Sequence, residues 1–171
     1  MKLISEVCVD PLVKCEMFDL RRSVRAVLFN DKGEVALVNN KNCGWYALPG
    51  GTIDEGDSLE SALRRECREE VGAEIKILAE LGLIIEQRNE QGRIRINYYF
   101  VAKVVGELGE PKLEADEIED GMTLEFHNLE KAIQLIREAR PFGNNELLGK
   151  YQQATELAAI TYYRGAQEWF I

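Results

Sequence analysis

Residues 57–71 constrain the fold of this 171-residue chain more than any other segment, because they combine helix signals with carboxylates on an apolar side. Asp57 is a good N-cap, Glu60 three residues later completes a capping box, and Gly72 is a natural stop. The segment therefore predicts an amphipathic helix that packs one face on a core. Its apolar residues recur at helical spacing: Leu59, Ala62, Leu63, Cys67 and Val71.

Acidic residues of this helix point into its apolar stripe. At about 100° per residue from Leu59, Glu66 falls at about −20°, Glu70 at about +20° and Glu69 at about −80°. An ionised carboxylate turned toward a core costs several kcal/mol unless a positive charge meets it. A divalent cation would satisfy these carboxylates together, and such oxygen ligands suit Mg²⁺ or Mn²⁺. The alternative is a solvated acidic face, or ion pairs with arginines of the same helix.

The other predicted strands and helices follow one another without a regular βαβ repeat. Such a mixture favours an α/β fold in which a mixed sheet is sandwiched between helices. Residues 1–20 are poorly patterned, and residues 39–45 and 107–120 are loop-like. Strands are predicted at residues 23–29, 34–38, 75–87, 93–105 and 122–127, and helices at residues 129–139 and from Asn144 or Asn145 to about Tyr163.

Composition limits the classes of function. The formal net charge of −9 disfavours binding to nucleic acid or to anionic membranes. Four cysteines without a CxxC pair and a single histidine argue against a zinc site, so free thiols are expected. Charged residues interrupt the N-terminal segment, which is unlike a secretory signal. We therefore expect a cytoplasmic protein.

The segment 51–73, GTIDEGDSLESALRRECREEVGA, resembles the Nudix box, G-x5-E-x7-R-E-U-x-E-E-x-G-U with U a bulky apolar residue. The approach LPGG at residues 48–51 is also similar to that family. Three positions depart from the pattern, since Asp57 replaces a glutamate, and Cys67 and Ala73 are smaller than the usual U residues. The matching positions are Gly51, Arg65, Glu66, Glu69, Glu70 and Gly72.

The resemblance implies a Nudix fold, an α/β/α sandwich with an extra C-terminal helix. We expect an N-terminal segment (1–20) packed on the domain, a Nudix hydrolase domain (21–140) and a helical extension (141–171). The residues 167–171 end the chain in Trp169, Phe170 and Ile171, an apolar end that would be costly in water. We expect this end to dock on the domain or to form a homodimer contact.

The resemblance also implies an enzyme that hydrolyses a pyrophosphate bond with Mg²⁺ or Mn²⁺. Glu66, Glu69 and Glu70 would be the metal ligands, helped by the backbone carbonyl of Gly50. Arg65 would hold one of the glutamates by a charge-assisted bond. In this interpretation Arg65, Glu66 and Glu69 also count as catalytic.

The base that activates water has several candidates in the sequence. Glu125 lies where MutT-like members place a glutamate just before an aromatic residue. Glu117, Glu119 and a glutamate of the box are alternatives. His127 is interpreted as a surface or hydrogen-bonded histidine rather than as a base.

The resemblance also bears on the substrate. The signatures of the ADP-ribose, dinucleoside-polyphosphate, NADH and coenzyme A subgroups of the family are absent, so the chain most resembles the MutT-like class, which implies a nucleoside triphosphate pyrophosphohydrolase. A nucleotide-sugar or ADP-ribose-type pyrophosphatase and a non-catalytic nucleotide-binding module are the alternatives. Arg25 or Arg95 would hold phosphate, with Asn97 nearby, while Trp45 and Tyr46 would stack on a base. The competing interpretation is that the aromatic pair packs in the core and that the arginines are solvated.

Overall fold

A computed structural model of the chain describes residues 1–12, 14 and 16–167. The apolar end at residues 169–171, with its predicted docking or dimer contact, lies outside the described residues. The strands are β1 (Leu3–Cys8), β2 (Asp19–Phe29), β3 (Val35–Asn40), β4 (Trp45–Ala47), β5 (Glu74–Arg88), β6 (Arg93–Val105) and β7 (Met122–His127). The helices are α1 (Leu59–Glu70), α2 (Ala115–Glu119), α3 (Leu129–Glu138) and α4 (Glu146–Gly165), with a 3₁₀ turn at Gly143–Asn145.

The strands form one mixed seven-stranded sheet in the order β1-β5-β6-β2-β3-β4, and β7 pairs with β3. The β1–β5 and β2–β6 pairs are parallel, whereas the pairings of β5 with β6 and of β3 with β4 and β7 are antiparallel. Strand alternation divides the core between the two faces. Val24, Ala26 and Leu28 of β2 pack with α1, whereas Val27 packs with α3 and α4. The predicted sandwich of a mixed sheet between helices is confirmed.

A glycine-rich loop connects β4 to α1 and lies against β2. Pro49 and Gly51 accept hydrogen bonds from the β2 amides of Ala26 and Val24 at 3.0 and 2.9 Å. Gly50, between them, has φ 137°, and a Cβ there would lie 2.1 Å from the Val24 carbonyl oxygen. Only glycine permits this approach, and it places the loop beside the C-terminal end of α1.

Several predicted boundaries were wrong. Ser58, not Asp57, is the N-cap of α1, because the Ser58 hydroxyl accepts from the amide of Ser61 at 3.1 Å. The poorly patterned N-terminus forms β1, which needs a long-range parallel pairing that local pattern does not reveal. The predicted loop 107–120 contains α2, and the predicted loop 39–45 contributes Asn39 and Asn40 to β3 and Trp45 to β4.

The last helix packs on the sheet through a face about one residue away from the predicted one. Helical spacing of the apolar residues in the sequence predicts one buried side, made of Leu147, Leu148, Tyr151, Ala154, Ala158 and Tyr162. The buried side includes polar residues that hydropathy alone assigns to solvent. It consists of Gly149, Tyr151, Gln152, Thr155, Glu156, Ala159, Ile160 and Tyr163.

In the part of the chain that the structure describes, no helix combines the length and apolar character needed to cross a membrane. The division at residues 20 and 140 and the cytoplasmic location stay predictions.

Candidate active site

The acidic residues of α1 take the positions that the helical phase predicted. Glu66 and Glu70 are buried, with 8% and 6% of their surface exposed, and Glu69 is partly exposed. Burial raises the pKa of Glu70 to about 8, against the opposing effects of Arg25 and the Gly50 amide. Burial also raises the pKa of Glu66, which Arg65 opposes. These buried carboxylates are costly as they stand, which favours a positively charged ligand.

Arg65 orients two of these carboxylates. Its Nη1 donates to Glu66 Oε1 at 2.8 Å and to Glu69 Oε2 at 3.2 Å. Its Nη2 donates to the carbonyl oxygen of Thr52 at 2.9 Å and lies 3.2 Å from Asp54 Oδ2. The guanidinium therefore holds the rotamers of Glu66 and Glu69 and ties the helix to the loop that precedes it.

A cavity of about 190 Å³ lies between α1, this loop and α2. Glu117 reaches it from α2, where its Oε2 accepts from the amide of Glu114 at 2.6 Å. Burial raises the pKa of Glu117. Seven carboxylates and one guanidinium line the cavity: Asp54, Glu66, Glu69, Glu70, Glu114, Asp116, Glu117 and Arg65.

The excess of negative charge in this cavity fits a divalent cation, although the candidate ligands do not converge on one point. Among the described residues, no three acidic, histidine or cysteine side chains surround one point as cation ligands. Glu66 and Glu69 turn to Arg65, and Glu70 accepts from the amide of Gly50 at 2.7 Å. The Gly50 carbonyl accepts no backbone hydrogen bond within residues 1–12, 14 and 16–167, so it is available as a ligand. Carboxylate and carbonyl oxygens, as found around this cavity, are ligands that suit Mg²⁺ or Mn²⁺.

The structure places Glu125 away from this cavity. Leu124 and Phe126 of β7 pack on the α1 side of the sheet, so Glu125 between them faces the opposite side. There it accepts from Asn39 Nδ2 at 2.7 Å and contacts His127 Nε2 at 2.8 Å. Burial would raise the pKa of Glu125, but these hydrogen bonds outweigh it and hold the pKa below its ordinary value.

Glu119 does not line the cavity either, although it shares α2 with Glu117. It is exposed, and its backbone carbonyl, not its side chain, accepts from Asn42 at 2.7 Å. Of the residues that the sequence proposed as a base outside the box, Glu117 alone lies with the box glutamates.

A second cavity, of about 300 Å³, adjoins Glu70 on the α4 side of the sheet. It contains three of the predicted substrate-binding residues, Arg25, Trp45 and Arg95. Tyr46 does not line it, and its hydroxyl accepts from Asn39 at 3.2 Å. Asn97 is buried beside Ser23 and Glu86 instead. Other residues around the cavity include Asn40, Arg88, Gln91, Arg93, Met122, Leu148 and Gln152.

Arg25 lies in this cavity but already has protein partners. Its Nε lies 3.0 Å from Glu156 Oε1 on α4, and its Nη1 donates to the Leu48 carbonyl at 2.7 Å. Sequence reasoning missed Glu156. A signal was present, because Glu156 lies one helical turn before the apolar Ile160 and one turn after Gln152, which places it on the buried face.

Trp45 has both a packing role and a place in the cavity wall. It is 5% exposed. A Cβ at Gly149 of α4 would lie 2.5 Å from Trp45 Cε3, so the absence of a side chain there lets the helix approach the indole. Trp45 therefore has little exposed surface left for the stacking that the sequence predicted.

Several known proteins are similar to this chain in sequence or in fold. The 8-oxo-dGDP phosphatase NUDT18 of Danio rerio is 37% identical over 98 residues, 55% of this chain and 28% of that protein. The ADP-ribose pyrophosphatase of Methanocaldococcus jannaschii is 34% identical over 94 residues, 54% of this chain and 53% of that protein. A solved NUDIX hydrolase from Nitrosomonas europaea has a similar fold, with a TM-score of 0.58 at 19% identity, covering 81% of this chain and 91% of that one.

The chain thus spans about a quarter and about half of the lengths of these two relatives. Residues 19–146, well over half of the chain, match the NUDIX domain, and the chain belongs to the NUDIX family.

Proposed function

We propose that the chain is a divalent-metal-dependent hydrolase of a pyrophosphate bond in a nucleoside diphosphate linked to another group. The observation that carries this proposal is the acidic cavity, in which buried Glu66 and Glu70 face five further carboxylates and a single guanidinium. A structural role alone does not account for so much uncompensated negative charge.

The side chains have distinct parts in this proposal. Glu66, Glu69, Glu70 and the carbonyl of Gly50 would hold Mg²⁺ or Mn²⁺. The bound cation would neutralise charge on the diphosphate and activate water. Arg65 holds Glu66 and Glu69 in position through its hydrogen bonds to both.

The proton of the attacking water needs an acceptor, and Glu117 is the residue we assign to it. Its carboxylate lines the acidic cavity, and burial gives it a raised pKa that suits a general base. Glu125 was the first choice from the sequence, but its place on the other side of the sheet favours Glu117.

For the substrate we propose a nucleoside triphosphate, as in MutT-like enzymes, with an ADP-ribose or nucleotide-sugar type as second candidate. The names of the two relatives, an 8-oxo-dGDP phosphatase and an ADP-ribose pyrophosphatase, support a nucleotide that contains a diphosphate, free in the first relative and linked to a sugar in the second. The net charge of −9 favours a small nucleotide over nucleic acid or a membrane as partner.

The test incubates the full chain with Mg²⁺ and nucleoside triphosphates, oxidised triphosphates, nucleotide sugars and dinucleotides, and separates the products by chromatography. Glu70→Gln is the inactive variant, and Glu60→Gln, an exposed acid of the same helix, is the matched control. We expect turnover of one class by the wild type and the control, and none by Glu70→Gln. A folded, Mg²⁺-binding protein that turns over nothing would favour the non-catalytic binding module.

A further inference from the structure

The ion pair between Arg25 and Glu156 places a buried guanidinium close to the carboxylates of the acidic cavity. Glu156 belongs to α4, of which residues 147–165 lie beyond the part of the chain that matches the NUDIX domain. It is 0% exposed, so its charge is removed from water. Replacing a buried ion pair by apolar residues is often neutral or even stabilising, so the packing of α4 does not by itself require a carboxylate at this position.

Arg25 and Glu70 belong to elements on different sides of the loop 48–51 but come close together beside it. Arg25 meets Glu156 on the α4 side of β2, whereas Glu70 ends α1. Gly50 touches both residues, because its amide donates to Glu70 Oε2 at 2.7 Å and a Cβ added to it would lie 2.7 Å from Arg25 Cα. Both side chains line the second cavity. In the part of the chain that the structure describes, however, Arg25 forms its ion pair with Glu156 and not with Glu70.

Glu156 fixes the direction of the Arg25 guanidinium. Its Oε1 lies 3.0 Å from Arg25 Nε and also accepts from the side-chain amide of Gln152 on the same helix. With Nε held there, Nη1 of Arg25 donates to the carbonyl of Leu48 at 2.7 Å. Two of the three guanidinium nitrogens are thus engaged by groups that are not candidate metal ligands.

The charges around Arg25 indicate where its guanidinium would turn without Glu156. Burial lowers the pKa of Arg25, but the surrounding negative charge outweighs it and holds the pKa above its ordinary value. Glu156 has the largest of these effects, and the carboxylates that act next most strongly on Arg25 are Glu70 and Glu66. Both are candidate metal ligands. An Arg25 that loses Glu156 would therefore be drawn to the residues that the cation needs.

We propose that Glu156 is a positioning residue, which holds Arg25 away from Glu70 and so keeps this carboxylate free for the metal ion. The proposal rests on the proposed function, in which Glu70 is a metal ligand. Without Glu156, Arg25 pairs with Glu70, and an incoming cation has to displace a charge-assisted contact. Metal binding is then weakened by Arg25 itself rather than by a loss of packing.

A titration with Mn²⁺, in which free Mn²⁺ is followed by electron paramagnetic resonance, tests this without relying on hydrolysis. The variants of the full chain are Glu156→Gln, Arg25→Gln and the double variant that carries both changes. Glu146→Gln is the matched control, because Glu146 is an exposed acid of the same helix that pairs with Lys150. All proteins are compared at one pH, and circular dichroism confirms that they are folded.

We expect Glu156→Gln to bind Mn²⁺ at least about tenfold more weakly than the wild type and Glu146→Gln, since the cation must break a guanidinium–carboxylate pair. The two proteins without the guanidinium, Arg25→Gln and the double variant, should bind Mn²⁺ more tightly than Glu156→Gln. If the ion pair only stabilised the fold, these three proteins would be weakened alike.

A second variant covers the case in which Glu156→Gln does not fold with an unpaired Arg25. Glu156→Asp keeps the charge but draws the carboxylate back from the guanidinium, so its affinity for Mn²⁺ should lie between those of the wild type and Glu156→Gln. Wild-type affinity in the folded variants of Glu156, or equal weakening in every variant of the pair, would overturn the proposal.

The outcome is distinct from that of the hydrolysis test. Mn²⁺ binding that follows these expectations in a protein that hydrolyses none of the compounds would refute the proposed function and leave the role of Glu156 standing. Hydrolysis together with Mn²⁺ binding that Glu156→Gln leaves unchanged would do the reverse. A folded wild type that binds no Mn²⁺ would overturn both.

Discussion

Arg25 of β2 and Glu156 of α4 join the sheet to the last helix, with Arg25 Nε 3.0 Å from Glu156 Oε1. Both groups are buried, and Arg25 opposes the burial that raises the pKa of Glu156 to about 7 and of Glu70 to about 8. The Arg25 guanidinium thus stabilises the ionised forms of two carboxyl groups, Glu156 of α4 and Glu70 of the acidic cavity.

The substitution Arg25→Gln should therefore destabilise the protein in a pH-dependent way. Without the guanidinium, the pKa values of Glu156 and Glu70 in the folded protein rise further. A carboxyl group whose pKa is higher in the folded than in the unfolded protein lowers the free energy of unfolding as the pH rises. Near pH 5.5 both carboxyls are protonated with or without Arg25, so the loss is small. At pH 8.5 the loss in the free energy of unfolding should reach about 3 kcal/mol, the effect of removing one partner of a buried ion pair.

Urea unfolding in EDTA at both pH values measures this difference. Arg21→Gln is the control, because Arg21 pairs with Asp19 in an exposed bridge whose loss should be equally small at both pH values. A loss for Arg25→Gln that is the same at pH 5.5 and pH 8.5 would contradict the account.

Gly50 should tolerate no side chain. Its φ is 137°, and a Cβ added there would lie 2.1 Å from the Val24 carbonyl oxygen, so Gly50→Ala must displace the loop from β2. We expect a loss of more than about 2 kcal/mol in the free energy of unfolding.

Gly33→Ala is the matched control for backbone conformation. Gly33 also has a positive φ, 77°, but nothing lies within 4 Å of its Cβ position. Thermal or urea unfolding should show a loss of about 1 kcal/mol there. Equal losses at the two glycines would show that the close approach to β2 is unimportant.

Variants of three glutamates distinguish the candidate bases. Glu117→Gln should lower kcat at least about hundredfold, since a general base contributes about 10²–10⁴. Glu119→Gln and Glu125→Gln should leave kcat near the wild-type value, because neither side chain lines the acidic cavity. Steady-state kinetics on the substrate found by the panel measures all three. A large loss in Glu125→Gln with little in Glu117→Gln would reverse the assignment.

Local pattern predicted the box helix and its buried acids well. The phase of Glu66 and Glu70 depends only on residues within α1, so the sequence alone is enough to predict it. The position of Glu125 was open to the same reasoning, because Leu124 and Phe126 alternate with it in β7 and turn it away from α1. Family resemblance favoured Glu125 as the base, whereas this alternation argues against it.

Long-range pairings account for what the sequence did not predict. Glu156 meets Arg25 from a helix more than a hundred residues away along the chain, and no local pattern links them. The β1–β5 pair is likewise parallel and distant in sequence. The arginines of the β5–β6 hairpin look like solvated strand residues in the sequence, but in the structure they line a cavity together with Leu148 and Gln152 of α4.

The central claim, that the acidic cavity binds a divalent cation, is tested most directly by titrating Mn²⁺ and following free Mn²⁺ by electron paramagnetic resonance. The wild type, Glu70→Gln and Glu60→Gln are compared at the same pH. The account predicts that the wild type and Glu60→Gln bind Mn²⁺ alike and that Glu70→Gln binds at least about tenfold more weakly, the loss of one charged ligand. Identical binding by all three proteins would contradict it.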